Sequence, residues 1–197
     1  MKGVNLMTEE IEIEYKAMLT KKQFEFLLDR YAFPPTPQKQ VNYYFETDQL
    51  SLKACHAALR IREKNNRYTV TLKQQKADHV LETHADIDQT TLLKWQKNDI
   101  VLPNQFKSIF EQLTIDQSDL KYKGYLTTER YSFEENKVIY CLDQSHYFDQ
   151  VDYELEVEEN TPRQANEVFH HIINDLQLTS IQSKTKIERF FHALHKK

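Results

Sequence analysis

The chain has 197 residues, 40% of them apolar and 28% charged, which is enough for one domain with a substantial core. A net charge of −4 excludes a broad basic surface that coats nucleic acid, and two cysteines, Cys55 and Cys141, exclude a disulfide framework or a Cys-rich zinc site. Residues 1–8 carry no secretory signal and no run approaches the roughly 20 apolar residues of a membrane span, so a cytoplasmic protein is expected.

Residues 10–19 alternate with period two, which places Glu12, Glu14 and Lys16 on one face of a strand and Ile11, Ile13 and Tyr15 on the other. Thr20 and Gln23 have the spacing of a capping box, and Phe24, Leu27, Leu28 and Tyr31 give the helix that follows an apolar stripe. Pro34-Pro35 ends it. Strands are expected at 39–47, 57–64, 67–75 and 80–87, with Asn65-Asn66 as a tight turn between the middle two. Two helices follow, at 89–98 and 103–113, and strands resume at 120–134, 137–143 and 151–158, with Glu135-Asn136 as another turn. Thr161-Pro162 opens a helix whose apolar face is Val168, Phe169, Ile172, Ile173 and Leu176, and a last helix covers 186–195. The pattern is one domain over 1–197, α+β but mainly β. About eight strands in sequential hairpins close most simply as an antiparallel barrel, its apolar outside covered by the amphipathic helices.

One face of each strand then collects charge. The first offers Glu12, Glu14 and Lys16; later strands offer Arg60 and Arg62, then Thr69, Thr71 and Lys73, then Glu82 and His84. Further on come Thr128 and Arg130, then Asp143, then Glu154 and Glu156. A single such face is ordinarily solvated. Here most acids and bases fall on different strands, and several helices stand ready to cover the apolar side, which would turn the charged faces inward; composition alone leaves the solvated face as the alternative.

Glu12-x-Glu14-x-Lys16 resembles the signature of the CYTH superfamily, the triphosphate tunnel metalloenzymes. Arg60-x-Arg62, Thr71-Leu72-Lys73, Glu82, Thr128-Glu129-Arg130, Leu142-Asp143, Glu154-Leu155-Glu156-Val157 and Ser183-Lys184 are similar, in order, to the family's remaining strands and C-terminal basic residue. The resemblance implies an eight-stranded tunnel that binds a linear triphosphate with one or two divalent ions, Mg²⁺ or Mn²⁺. It implies that Lys16, Arg60, Arg62, Lys73, Arg130 and Lys184 grip phosphate oxygens, with Lys186 as the alternative to Lys184. It places metal on Glu12, Glu14, Glu154 and Glu156, with Asp143 supporting that ion or a second one; metal coordination or a nearby carboxylate would activate the attacking water, with Glu82 the candidate. Hard carboxylate oxygens suit such ions, and arginine forks suit phosphate. His84 shares the face of Glu82 with a weaker claim to a role. Glu158 reads as a solvated strand end, and Trp95 as a packing residue.

The expected activity is hydrolysis of a triphosphate, inorganic or carried by a nucleoside or thiamine. The alternatives are an adenylyl cyclase that makes cyclic AMP from ATP, and a non-catalytic binder of triphosphate or polyphosphate. No dedicated aromatic platform for a base stands out, although Tyr43, Tyr44 and Tyr68 stay in reserve, and this favours the inorganic substrate. No membrane or nucleic-acid partner is expected. Monomer and homodimer are both compatible with the sequence.

Overall fold

A computed structural model describes residues 8–12, 14–76, 80–158, 162–176 and 184–196, with 8–12 and 162–165 described by backbone alone. The chain forms two compact units, one built from the stretch ending at Ile11 with Val41–Tyr125, the other from Glu12–Gln40 with Leu126 onward.

In the first unit the antiparallel strand order is β1 (Thr8–Glu12), β6 (Val80–Ile87), β5 (Arg67–Gln75), β4 (Ala57–Lys64) and β3 (Gln38–Thr47). Asn65 and Asn66 make the β4–β5 turn with φ of 53° and 59°, a region that asparagine enters at little cost. That turn fixes the register, with Arg60 opposite Thr71, Arg62 opposite Thr69, and Lys73 opposite Glu82 on β6. The alternate residues Leu59, Ile61, Val70 and Leu72 point the other way into a core, where α3 (Gln89–Trp95) and α4 (Asn104–Gln112) contribute Leu92, Trp95, Phe106 and Phe110. Trp95 packs edge-on against Phe45 at 5.1 Å, the packing role expected of it.

In the second unit the order is β7 (Leu120–Glu135), β8 (Val138–Tyr147), β9 (Gln150–Glu158) and β2 (Glu14–Leu19). Ala17, Leu142, Leu155 and Val157 lie under α1 (Lys21–Arg30) and α5 (Pro162–Asp175), which add Phe24, Leu27, Phe169, Ile172 and Ile173. Burying such side chains contributes about 1.5–3 kcal/mol each, which is why the strands turn this face, and not the charged one, toward the helices. The capping box of α1 has both its arms, Thr20 accepting from the Gln23 amide and the Gln23 side chain accepting from Thr20 N–H. A second box, Thr185 with Glu188, opens α6 (Lys186–Leu194), whose Phe190 stacks on Phe148 at 5.0 Å.

The fold class is therefore the expected one, antiparallel and mainly β with helices on the apolar faces. The stretch read as the N-terminal strand is described as β1, which pairs with β6, and β2, which pairs with β9. Two details differ. The β7–β8 turn is Asn136-Lys137 (φ 52° and 66°), one residue later than expected, so Glu135 remains in the strand opposite Val138. A short helix, α2 (Ser51–Ala54), was not foreseen; buried Glu46 anchors it by accepting from the amides of Leu52 at 2.9 Å and Lys53 at 3.0 Å. Among the described residues no helix is long and apolar enough to cross a membrane.

Candidate active site

The charged faces in the two units are built differently. In the second unit they form a continuous lattice. β9 projects Glu154, Glu156 and Glu158 from one face, and the register sets Glu14 of β2 opposite Glu158 and Lys16 opposite Glu156. On the other side β8 sets Asp143 opposite Glu154 and Cys141 opposite Glu156, and β7 sets Arg130 opposite Asp143.

Arg130 grips fully buried Asp143 with a two-pronged fork, Nε to Oδ1 and Nη2 to Oδ2, both at 2.7 Å. Its Nη2 also donates to Glu156, and its Nη1 lies 3.5 Å from Glu158. Lys186 reaches in from the first turn of α6, its Nζ 2.9 Å from Asp143, 2.6 Å from Glu154 and 2.5 Å from Glu156. Burial opposes the charge on Lys186, yet Asp143, Glu156 and Glu154 together hold its pKa well above the ordinary lysine value. Burial likewise pushes the Glu156 carboxyl up, and Lys186 and Arg130 outweigh it, holding the group well below the usual range. One turn further along α6, Arg189 donates to Asp152 and to Glu154, both at 2.8 Å.

Of the four carboxylates expected at the metal, Glu14 and Glu156 come together with Glu158, their oxygens within 4.8 Å of one another. Glu154 is turned toward Lys186 and Arg189. The side chain of Glu12 lies outside the described residues. Glu158 is half-buried rather than a solvated strand end, because the β2–β9 pairing carries its partner Glu14 that far along. Lys184 is exposed, and its carbonyl accepts from Arg189; the lysine that the cap at Thr185 turns onto the charged face of the sheet is Lys186.

In the first unit the charged face carries Arg60, Arg62 and Lys73 with the acids Glu82 and Asp86 of β6. Glu82, 6% exposed, pairs with Lys73, and its Oε2 lies 3.3 Å from His84 Nε2. His84 Nδ1 lies 3.0 Å from the hydroxyl of buried Thr71. Arg62 donates from Nε to the Asn42 amide oxygen at 3.3 Å, while the buried Nε of Arg60 has no hydrogen-bond partner among the described residues. Gln40, Asn42 and Tyr44 of β3 alternate on one face and are each at most 3% exposed. No charge marks them in the sequence, so reading by charge passed over this strand. Tyr43 points the other way, onto Tyr122, and its hydroxyl donates to Glu63 at 2.7 Å.

The charged faces of these antiparallel strands gather glutamates, lysines and arginines side by side. A CYTH domain model matches residues 10–191, and the chain belongs to that family. It is 35% identical over 193 residues to the Bacillus subtilis (strain 168) protein named "Putative triphosphatase YjbK", covering 96% of this chain and 99% of the relative. The fold of a crystal structure from Bacillus halodurans, titled as a "putative adenylate cyclase", superposes with a TM-score of 0.87 at 33% identity over 93% of this chain and 98% of that one. A Hippeastrum protein, HpAC1, titled as an adenylyl cyclase with "a dominant triphophatase activity", shares the fold at a TM-score of 0.74 and 19% identity, over 92% and 96% of the two chains.

Proposed function

We propose that the protein is a divalent-metal-dependent triphosphatase that hydrolyses a linear triphosphate, with inorganic triphosphate the preferred substrate. The observation that carries this reading is the lattice around Glu156, where the Glu14–Glu156–Glu158 cluster adjoins Lys16, Arg130 and Lys186. A site for a bare polyanion would be weakened by buried carboxylates; one for a polyanion with its metal needs them. The donor set is all oxygen and anionic, which fits Mg²⁺ or Mn²⁺. A dication held by Glu14, Glu156 and Glu158 would neutralise charge on the phosphoryl group as it transfers.

The chain's own groups divide the remaining work. Lys16, Arg60, Arg62, Lys73, Arg130 and Lys186 bind the phosphate oxygens, with Lys186 taking the role expected of Lys184. Asp143 holds the Arg130 guanidinium in a fixed plane, so its role is to position a phosphate ligand rather than to touch water. Glu82 accepts a proton of the water that attacks the terminal phosphorus; the bond from that phosphorus to the bridging oxygen breaks, diphosphate is the leaving group, and the attacked phosphoryl group becomes orthophosphate. The 35% identity to a relative named as a triphosphatase supports the hydrolytic outcome.

Phosphate release from inorganic triphosphate, ATP, GTP and thiamine triphosphate, each with Mg²⁺, Mn²⁺ or EDTA, tests the reading. Metal-dependent release, fastest with the inorganic compound, is the expected result. Glu14→Gln should remove turnover, about 10²-fold or more, while leaving the fold intact; a fully active variant would overturn the metal assignment. The name of the 33% identical Bacillus halodurans structure favours a second reading, attack by a ribose hydroxyl. Cyclic AMP and pyrophosphate from ATP, in place of phosphate, would establish it.

A further inference from the structure

We propose that His84 is a positioning residue that fixes the orientation of Glu82, through a single imidazole tautomer that Glu82 sets and Thr71 receives. The inference rests on the triphosphatase reading for its kinetic consequence and on geometry alone for its hydrogen bonds.

Cross-strand register brings the groups together. Lys73 faces Glu82, and Thr71 faces His84, so four polar side chains meet on adjacent rungs of β5 and β6. Lys73 pairs with one carboxylate oxygen of Glu82, Oε1, and His84 Nε2 stands 3.3 Å from the other, Oε2. A carboxylate paired with a lysine only accepts hydrogen bonds, so Nε2 carries the imidazole proton. In the neutral ring Nδ1 is then an acceptor, and the Thr71 hydroxyl, 3.0 Å away, donates to it. Thr71 is 2% exposed and Glu82 6%, so water does not readily replace either partner.

One feature makes this more than packing. Lys73 is also a proposed phosphate ligand, and a triphosphate drawing its ammonium away from Oε1 would remove a contact that holds the carboxylate. The contact from His84 to Oε2 keeps Glu82 in place at that moment. The imidazole thus spans Glu82 and Thr71, and the acceptor Glu82 assigns the direction of both contacts.

Paired substitutions and a spectroscopic readout test the assignment. The amide nitrogen of His84→Gln can stand where Nε2 stands; that of His84→Asn reaches only the Nδ1 position. With inorganic triphosphate and Mg²⁺, His84→Gln should keep kcat within about threefold, while His84→Asn should lose about 10–100-fold in kcat with little change in KM, the signature of a misplaced reacting group. The ¹⁵N spectrum of labelled wild-type protein should show His84 with Nε2 protonated and Nδ1 bare. Equal kcat in all three proteins, or a spectrum with the proton on Nδ1, would overturn the proposal. If wild-type protein turns over no triphosphate the hydrolase reading falls, and the spectrum still decides the tautomer.

Discussion

At the residue scale the lattice around Glu156 is governed by desolvation. Removing one partner of a buried ion pair leaves the rest uncompensated, at a cost of about 3–5 kcal/mol. Lys186→Met, which faces Asp143, Glu154 and Glu156 with a methyl thioether, should lower stability by that order, and thermal unfolding measures it. The pH dependence has a definite sign. The Glu156 pKa is depressed in the folded state, so its stabilisation is complete above the ordinary value of 4.5 and is lost as pH falls toward the native value. The Lys186 pKa is raised, so its contribution is complete below the ordinary value of 10.5 and is lost as pH rises beyond it. Urea midpoints should therefore form a plateau across neutral pH and fall at both ends; a midpoint that rises below pH 4 would contradict the pairing. Much of the lattice was legible, because strand parity alone puts Arg130, Asp143, Glu154 and Glu156 on shared faces. Glu158 and Arg189 were not, and Lys186 stood only as the alternative to Lys184, because parity says nothing of inter-strand register or of how a helix is rotated on its axis.

At the element scale the N-terminal caps have unequal consequences. Thr20→Ala and Thr185→Ala each remove one capping box and should each cost about 1 kcal/mol, read from denaturant midpoints. Thr185 also sets the first turn from which Lys186 enters the lattice, so Thr185→Ala should lower triphosphate turnover and Thr20→Ala should not. In the core, Phe169→Ala beneath α5 should cost about 3–5 kcal/mol. The longer helices and most strand limits followed from periodicity, and the Thr20–Gln23 capping signal was visible in a four-residue window, whereas the Thr185–Glu188 box emerged from the structure. The short helix α2 escaped because its stabilising contact is the carboxylate of Glu46, on the preceding strand, at hydrogen-bond distance from two of its amides. The misplaced β7–β8 turn has a similar origin: Glu135 and Lys137 are equally polar, and only the pairing of Glu135 with Val138 decides which of them turns.

At the scale of the whole molecule, one family model runs through both compact units, so the two charged faces belong to one inherited design. A ligand that binds only the folded chain raises its stability by about 2.7 kcal/mol at a hundred times its dissociation constant. Triphosphate with Mn²⁺ should raise the melting temperature more than the separate effects of either added together, and strict additivity would argue against a shared site. The lattice of the second unit makes the form of this coupling explicit. Among the described residues, the carboxylates of Glu14, Asp143, Asp152, Glu154, Glu156 and Glu158 meet the cations Lys16, Arg130, Lys186 and Arg189. Glu156, Lys186 and Arg130, with pKa values driven away from neutrality, stay charged throughout the physiological range. Metal uptake would then exchange ionic partners without exchanging protons, and its calorimetric heat should be the same in buffers of widely different ionisation enthalpy.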